Sequence, residues 1–190
     1  MKIGLIRHGS TAWNKAGRAQ GHSDIPLDMQ GHADALALGK KLNKNEWACI
    51  YSSDLMRAHE TSKRIIEGGL RAELITDKRL REVGGGRIEG TTEEERIAKW
   101  GEEWWKLALG IETKETALKR GLDFLTDVTN KHENESILIV SHGSLLKHLM
   151  GELLGKQMEQ SLDNTSLSIL ELIDERWEWK VLNDLSHLHS

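Results

Sequence analysis

Two histidines in this chain occupy the same local setting. His8 comes just after the apolar run at residues 3–6, and His142 comes just after the apolar run at residues 137–140. Each histidine is followed directly by glycine and serine. Short apolar runs bounded by polar residues are typical of buried strands, so both histidines are expected at strand ends. Such a pair suits either an anion site or a metal site.

Two arginines accompany these histidines. Arg7 directly precedes His8, and Arg57 follows the end of a further apolar run at residues 47–51. Ligands of an open parallel sheet bind beyond the carboxyl ends of its strands, so these side chains and His142 are expected to converge there. Guanidinium groups bind phosphate oxygens in pairs, and N–H groups at helix starts add partial positive charge. The sequence therefore predicts an anion site, and phosphate is the natural anion.

Two other interpretations of the histidines, and an ATP-binding loop, are weaker. A single histidine after a strand is usually a surface or hydrogen-bonded structural residue, but two such strand ends together with Arg57 form a more specific pattern. A metal site would need further ligands, and neither histidine has a neighbouring carboxylate or a paired-histidine helix motif. The GxxxxGK[ST] loop of ATP-binding proteins is absent as well. No metal ligand is therefore assigned from the sequence.

The elements that would position these residues alternate between strand and helix. Apolar runs predict strands at residues 3–6, 47–51 and 137–140, a weaker strand at 72–75, and a terminal hairpin from 166–173 and 177–182. Helical periodicity predicts helices at 30–43, 55–65, 92–109, 113–128 and 144–154, the last of them apolar nearly all round. This alternation predicts an α/β fold, a three-layer α/β/α sandwich with a mainly parallel central sheet.

Length and composition limit the remaining possibilities. The chain has 190 residues, and we expect residues 1–190 to form a single domain. The formal net charge is -4, so the chain lacks the excess of positive charge expected of a protein that binds nucleic acid or an anionic membrane. The single cysteine, Cys49, excludes an internal disulfide, and no apolar stretch approaches the ~18 residues of a membrane span. We expect a cytoplasmic protein, in which Trp177 and Trp179 cover a sheet edge or a partner such as a second copy of the chain.

The candidate site residues belong to five motifs spread along the chain. They are Arg7-His8-Gly9 with Thr11, Trp13 and Asn14; Gln20-Gly21 with Asp24, Pro26-Leu27 and Gly31; residues 53–61; Arg81-Glu82 with Gly86 and Glu89-Gly90; and residues 140–143. In this order they resemble the motifs of the histidine phosphatase superfamily, also called phosphoglycerate mutase-like proteins. The resemblance covers nearly the whole chain and implies the fold of that family and a phosphoryl-transfer activity.

The resemblance also implies a role for each matching residue. His8 would be the nucleophile on phosphorus. Arg7, Arg57 and His142 would hold the phosphoryl oxygens, with His142 as the cation. Glu82 would protonate the leaving alkoxide and then activate the water that hydrolyses phosphohistidine. Phosphate- or substrate-binding roles fall to Gly9, Asn14, Gln20, Gly21 and Gly143. Because the arginines and His142 supply the positive charge that a magnesium ion would bring, no metal or other cofactor is expected.

The segment after Glu82 departs from the family pattern. Ile88 stands where the family usually has tryptophan, and residues 83–86 are unusually rich in glycine. The packing of this loop is therefore left open. Glu89 is a competing carboxylate for the role of general acid, although the family motif favours Glu82.

The predicted helix at residues 92–109 bears on the substrate. Its five glutamates outnumber its one arginine and two lysines, a balance that does not favour a substrate with several negative charges. It also carries Trp100, Trp104 and Trp105. Their spacing predicts a buried stripe that packs on the sheet, and the alternative is that one of them walls an apolar pocket above His8.

The length of the chain bears on which members of this family it resembles most. Phosphoglycerate mutases of the family are typically longer, whereas its monofunctional phosphatases are short. We therefore expect a hydrolase of a small phosphorylated metabolite. A cofactor-dependent phosphoglycerate mutase is the alternative, and a non-catalytic module that binds a phosphorylated ligand is a more remote one.

Overall fold

A six-stranded sheet forms the centre of the computed structural model, which describes residues 1–42, 46–174 and 176–189. The strands are β1 (Lys2–Arg7), β2 (Cys49–Ser52), β3 (Glu73–Thr76), β4 (Ser136–Ser141), β5 (Leu167–Ile173) and β6 (Arg176–Asp184), in the order β3-β2-β4-β1-β5-β6. The first four are parallel, β5 runs antiparallel to β1, and β6 runs antiparallel to β5. The mainly parallel sheet predicted from the sequence is confirmed.

Helices cover both faces of this sheet. They are α1 (Ala12–Lys15), α2 (Met29–Lys41), α3 (Met56–Glu67), α4 (Glu93–Trp100), α5 (Lys114–Lys131) and α6 (Gly143–Leu153). Alternate β4 residues point to opposite faces, so Ile137 and Ile139 pack with α5 and α6, while Leu138 and Val140 pack with α2 and α3. The predicted α/β/α layering is confirmed. Asn43, the predicted end of the first helix, and Glu175 in the turn of the terminal hairpin lie outside the described residues.

The register between β1 and β4 brings the two histidines level. Arg7 lies opposite Ser141 in the parallel ladder, and the N–H of His8 donates to the Ser141 carbonyl at 2.9 Å. Because the strands are neighbours and end at the same level, the repeated His-Gly-Ser pattern places His8 and His142 side by side. The convergence at the carboxyl edge follows from this register.

The prediction of one helix over residues 92–109 is wrong. Gly101 ends α4 with a positive φ of 85°, and its N–H donates to the Ile97 carbonyl. The predicted buried tryptophan stripe is wrong too, since Trp105 is 58% exposed. Trp104 is half-buried and packs on its own segment, with the Arg96 guanidinium 5.0 Å above its ring. Stacking on a neighbouring cation replaces the expected contact with the sheet.

The prediction that α6 is apolar nearly all round holds for one side only. Leu145, Leu146, Leu149 and Met150 are buried against the sheet, whereas Lys147 and His148 are half-buried and Ser144 is exposed. The helix is therefore amphipathic, with a polar face beside the carboxyl edge of the sheet. Among the helices of the described residues, none has the length and apolar character needed to cross a membrane.

Candidate active site

His8 lies at the end of β1 with 3% of its surface exposed. Its Nδ1 is 2.7 Å from the carbonyl oxygen of Gly9, and a carbonyl only accepts, so Nδ1 carries the proton and Nε2 keeps its lone pair. Burial, followed by the positive charges of Arg57 and Arg7, holds the pKa of His8 well below its ordinary value. A neutral imidazole with a free Nε2 is suited to nucleophilic attack on phosphorus.

Two arginines beside His8 are held by main-chain carbonyls. Arg7 donates to the Leu162 carbonyl at 2.5 Å, and the fully buried Arg57 donates to two carbonyls of the loop at residues 21–23, each at 2.8 Å. Burial lowers the pKa of both guanidinium groups, that of Arg57 to about 10, so both remain cations near neutral pH. Because these hydrogen-bond partners are neutral, the positive charge remains available to an anion.

His142 is fully buried, and the centroid of its ring lies 5.1 Å from that of His8. Neither ring nitrogen has a hydrogen-bond partner among the described residues. Burial, then the charge of Arg57, holds the pKa of His142 well below its ordinary value. Buried polar groups are normally hydrogen-bonded, so the two unpartnered nitrogens agree with the predicted contact to a ligand, and a dianionic phosphate nearby would favour the cation that this predicted role requires.

Glu82 is held at the start of α6. Its carboxylate accepts hydrogen bonds from the N–H groups of Val83 at 2.8 Å, Leu145 at 3.0 Å and Ser144 at 3.1 Å. Two of these donors are N–H groups of the first turn of α6, whose N-cap residue, His142, makes no side-chain cap. A carboxylate is favoured there because the helix N-terminus has unpaired donors and partial positive charge. The N-terminus of α6 therefore holds the Glu82 carboxylate next to the end of β4.

Glu89, the competing carboxylate, is engaged elsewhere. It accepts from the Ser23 hydroxyl at 2.6 Å and from the N–H groups of His22 and Gly85, each at 2.9 Å. Although burial opposes the change, these hydrogen bonds lower the pKa of Glu89. Glu89 connects two loops as an acceptor, an arrangement that favours Glu82 as the acid.

A cavity of about 340 Å³ collects most of the predicted residues. Seven of them line it: Arg7, His8, Asn14, Gln20, Gly21, Arg57 and Glu82. The sequence did not single out Arg18, Ile111 or Ser144, which line it too. Ile88, at the position that departs from the family pattern, is also part of the lining, whereas Trp100, Trp104 and Trp105 are not. The cavity is thus walled by cations, one carboxylate and a few apolar side chains.

Three predicted residues, Gly9, His142 and Gly143, are not among the residues that line this cavity. The N–H of Gly9 donates to Thr61 Oγ1 at 2.9 Å, and a Cβ at this position would come within 2.8 Å of the Gly31 carbonyl oxygen in α2. The absent side chain therefore permits close packing between β1 and α2. A Cβ on Gly143 would lie 3.4 Å from Nε of Arg7. Direct phosphate contacts of these two glycines stay a prediction.

Asn14 and Gln20 differ in how firmly they are held. Asn14 Oδ1 accepts from the N–H and the hydroxyl of Thr11 at 3.1 and 3.0 Å, which forms the capping box of α1. Gln20 is buried, and its Oε1 has no hydrogen-bond partner among the described residues. Gly21 adopts a positive φ of 48°, and its carbonyl accepts from Arg57. The tight turn at this glycine thus delivers an acceptor that orients the buried guanidinium.

Two residues that position the site were not found from the sequence. Arg120 on α5 donates to the carbonyls of Arg81 at 2.5 Å and Glu82 at 2.8 Å, which fixes the backbone that carries the carboxylate. Asn164 donates through Nδ2 to the His8 carbonyl at 2.9 Å. Both act over long separations along the chain, so no local motif or periodicity identifies them.

Comparisons with known proteins identify relatives of this chain. A family model described as the histidine phosphatase superfamily (branch 1) matches residues 3–185. The metal-independent phosphoserine phosphatase of Arabidopsis thaliana is 31% identical over 199 residues, which cover 100% of this chain and 84% of the relative. The uncharacterized phosphatase PhoE of Bacillus subtilis is 34% identical over 187 residues, 97% of this chain and 95% of the relative. The solved structure of YhfR from Bacillus stearothermophilus matches with a TM-score of 0.88 and 32% identity over 98% of both chains.

Proposed function

Since this chain belongs to the histidine phosphatase superfamily, we propose that it hydrolyses a small phosphorylated metabolite through a phosphohistidine intermediate on His8. The observation that carries the proposal is the setting of His8, whose Nδ1 faces the Gly9 carbonyl, whose pKa is held well below its ordinary value, and which shares one cavity with two arginines and Glu82. The similar proteins from Arabidopsis thaliana and Bacillus subtilis, both named as phosphatases, support it.

The first step transfers the phosphoryl group to the enzyme. Nε2 of His8 attacks phosphorus, and the bond between phosphorus and the alcohol oxygen breaks. Glu82 in its protonated form gives its proton to that oxygen, so the product leaves as a neutral alcohol. Arg7 and Arg57 hold the phosphoryl oxygens, on which negative charge is spread in the transition state, and their fixed positions make that stabilisation effective.

The second step returns the enzyme to its starting state. Water attacks phosphorus, the bond to Nε2 of His8 breaks, and the Glu82 carboxylate takes a proton from the water. Inorganic phosphate leaves, and the proton on Glu82 is ready for the next substrate. His142 holds a phosphoryl oxygen through both steps, and its buried, unpaired ring nitrogens support that role.

The proposed reaction requires no metal ion. Arg7 and Arg57 already supply fixed cations at the phosphoryl group, which is the electrostatic part of what a magnesium ion contributes. Among the described residues, moreover, there is no group of three or more His, Cys, Asp or Glu side chains that could hold a metal ion.

Product analysis tests the proposal against its alternatives. The purified protein is incubated with p-nitrophenyl phosphate, phosphoserine and 3-phosphoglycerate, and the products are followed by ³¹P NMR. We expect inorganic phosphate from at least one of them. Isomerisation of 3-phosphoglycerate without phosphate release would replace the phosphatase by a mutase. Binding of a phosphorylated ligand with no turnover of any of the three would indicate a binding module instead.

A further inference from the structure

A second and larger cavity adjoins the catalytic one. Its volume is about 720 Å³, compared with about 340 Å³ for the catalytic cavity. Val83 and Ser144 line both, so the two cavities meet where the carboxylate of Glu82 is bonded to the start of α6. The alcohol part of a phosphomonoester bound at His8 therefore has space to extend past Glu82 into the second cavity.

The polar face of α6 forms one wall of this cavity. The wall residues recur at helical spacings of three and four, which places them on one side: Ser144, Lys147, His148, Gly151 and Glu152. The segment after the helix closes the other side, and the Lys156 carbonyl comes within 3.1 Å of where a Cβ of Gly151 would be. The cavity is therefore built by packing of this segment against α6.

Positive charge dominates the lining. Lys114, Lys147 and Lys156 line the cavity, and Glu152 is the one carboxylate among the lining residues. None of these three lysines forms an ion pair with a carboxylate of the described residues, whereas the exposed Lys119 on α5 is paired one turn along its helix. Unpaired ammonium groups around a concave surface attract an anion.

Lys147 is the lysine held most firmly in position. Its ammonium group donates to the Glu159 carbonyl at 3.0 Å, which fixes the side chain and leaves two N–H donors for a ligand. The pKa of the neighbouring His148 responds to charges in both cavities. Burial, then the charge of Lys114, lowers the pKa of His148, while the charge of Glu82 acts in the opposite direction. The cavity and the catalytic carboxylate are thus close enough to interact electrostatically.

We propose that this cavity binds a second anionic group, a carboxylate or a phosphate, on the alcohol part of the substrate, and that Lys147 contacts it. The inference rests on the proposed function, because the phosphoryl group must be at His8 for the alcohol to reach the cavity. The acidic segment at residues 92–109 led us to expect a substrate without several negative charges. The proposed second anionic group runs against that expectation, since the cations that would bind it come from α5, α6 and the segment after α6.

A matched series of substrates tests this inference. Linear alkyl phosphates of increasing chain length carry a carboxylate, a phosphate or a neutral amide at the far end, so the leaving alkoxide is the same in each set. We expect kcat/KM of the wild-type protein for an anionic end to exceed that for the amide by roughly tenfold at one preferred length, as a charge-assisted hydrogen bond would give. The end group with the larger ratio identifies the anion as carboxylate or phosphate.

Variants connect the preference to the cavity. Lys147→Gln should bring the ratio of anionic to amide substrate close to unity, and Lys147→Arg should retain most of it. Lys119→Gln removes an equal charge on the exposed side of α5 and should leave the ratio unchanged. Lys114→Gln is the second cavity variant. A ratio that survives both Lys147→Gln and Lys114→Gln would overturn the inference.

The outcomes also separate the inference from the proposed function. If the wild-type protein hydrolyses p-nitrophenyl phosphate and the amide series without preferring an anionic end, the second site is refuted and the phosphatase stands. If it hydrolyses none of these compounds, the proposed function fails and the second site fails with it.

Discussion

The imidazole rings of His8 and His142 lie 5.1 Å apart at the ends of two neighbouring parallel strands. Burial is the main cause that lowers the pKa of each, and the Arg57 guanidinium adds to the effect on both. The surroundings of the site thus favour the neutral form of both histidines. In the proposed reaction a neutral His8 is able to act as the nucleophile, and a bound dianionic phosphate would draw a proton onto His142.

Acid should destabilise the folded protein through these two histidines. An unfolded chain protonates histidine near its ordinary pKa of 6.5, whereas His8 and His142 in the folded protein take up a proton only at lower pH. Below that value the unfolded state binds more protons, so the free energy of unfolding falls as the pH falls, by at most about 1.4 kcal/mol per pH unit for each group. Urea unfolding of wild-type protein and His142→Gln on both sides of the ordinary pKa measures this, and the variant should show the shallower decline. Equal slopes would contradict it.

Turnover should pass through phosphohistidine on His8. Rapid acid-free quenching with ³²P-labelled substrate should trap a protein adduct that is stable in base and labile in acid, because a phosphorus–nitrogen bond is protonated and cleaved in acid. The adduct should be missing in His8→Ala and present in His189→Ala, which removes an exposed histidine near the C-terminus. An acid-stable adduct, or label retained in His8→Ala, would refute the intermediate.

Glu82→Gln should slow catalysis in proportion to how much the leaving group needs a proton. General acid catalysis is worth roughly 10²–10⁴-fold, and a serine or sugar alkoxide should lose most of that factor in the variant. Nitrophenolate leaves without protonation, so phosphorylation of His8 by p-nitrophenyl phosphate should be slowed far less. Pre-steady-state rates of the first step are the measurement, because the proposed mechanism also has Glu82 act on water in the second step.

Glu89→Gln is the matched control for this carboxylate. Glu89 accepts hydrogen bonds that hold two loops together and does not line the catalytic cavity, so any loss should be similar for both leaving groups. Equal losses for both substrates in Glu82→Gln would reduce that residue to a positioning role. A loss selective for the alkyl phosphate in Glu89→Gln would move the general acid to Glu89.

Chelation should leave the rate unchanged. In the proposed mechanism Arg7 and Arg57 provide the cationic surroundings of the phosphoryl group, so prolonged dialysis against EDTA should remove nothing that the reaction uses. Vanadate should inhibit, since its five-coordinate form resembles the transition state of phosphoryl transfer. Activity lost on chelation and restored by a divalent cation would contradict metal independence.

The residues that perform the proposed chemistry were identifiable from the sequence for a physical reason. His8 and His142 each end an apolar run, and side chains at the carboxyl ends of parallel strands meet at one edge of a sheet. The motif that contains Arg57 follows β2, the strand that comes between β1 and β4 in the sequence. Strand type and strand end are local properties, so a short stretch of sequence was enough to predict that these groups converge.

Tertiary contacts decided what surrounds those groups. Within residues 92–109, by contrast, the outcome is local, because Gly101 ends α4 and Arg96 stacks on Trp104, and the predicted buried stripe does not form. Arg120 and Asn164 hold the backbone of Glu82 and His8 from distant parts of the chain. Such contacts depend on which elements pack together, and hydrophobic periodicity carries no information about that pairing. The sequence by itself therefore determined the candidate reacting groups and the sheet that carries them, while only the tertiary structure decided how they are held and which cations line the neighbouring cavity.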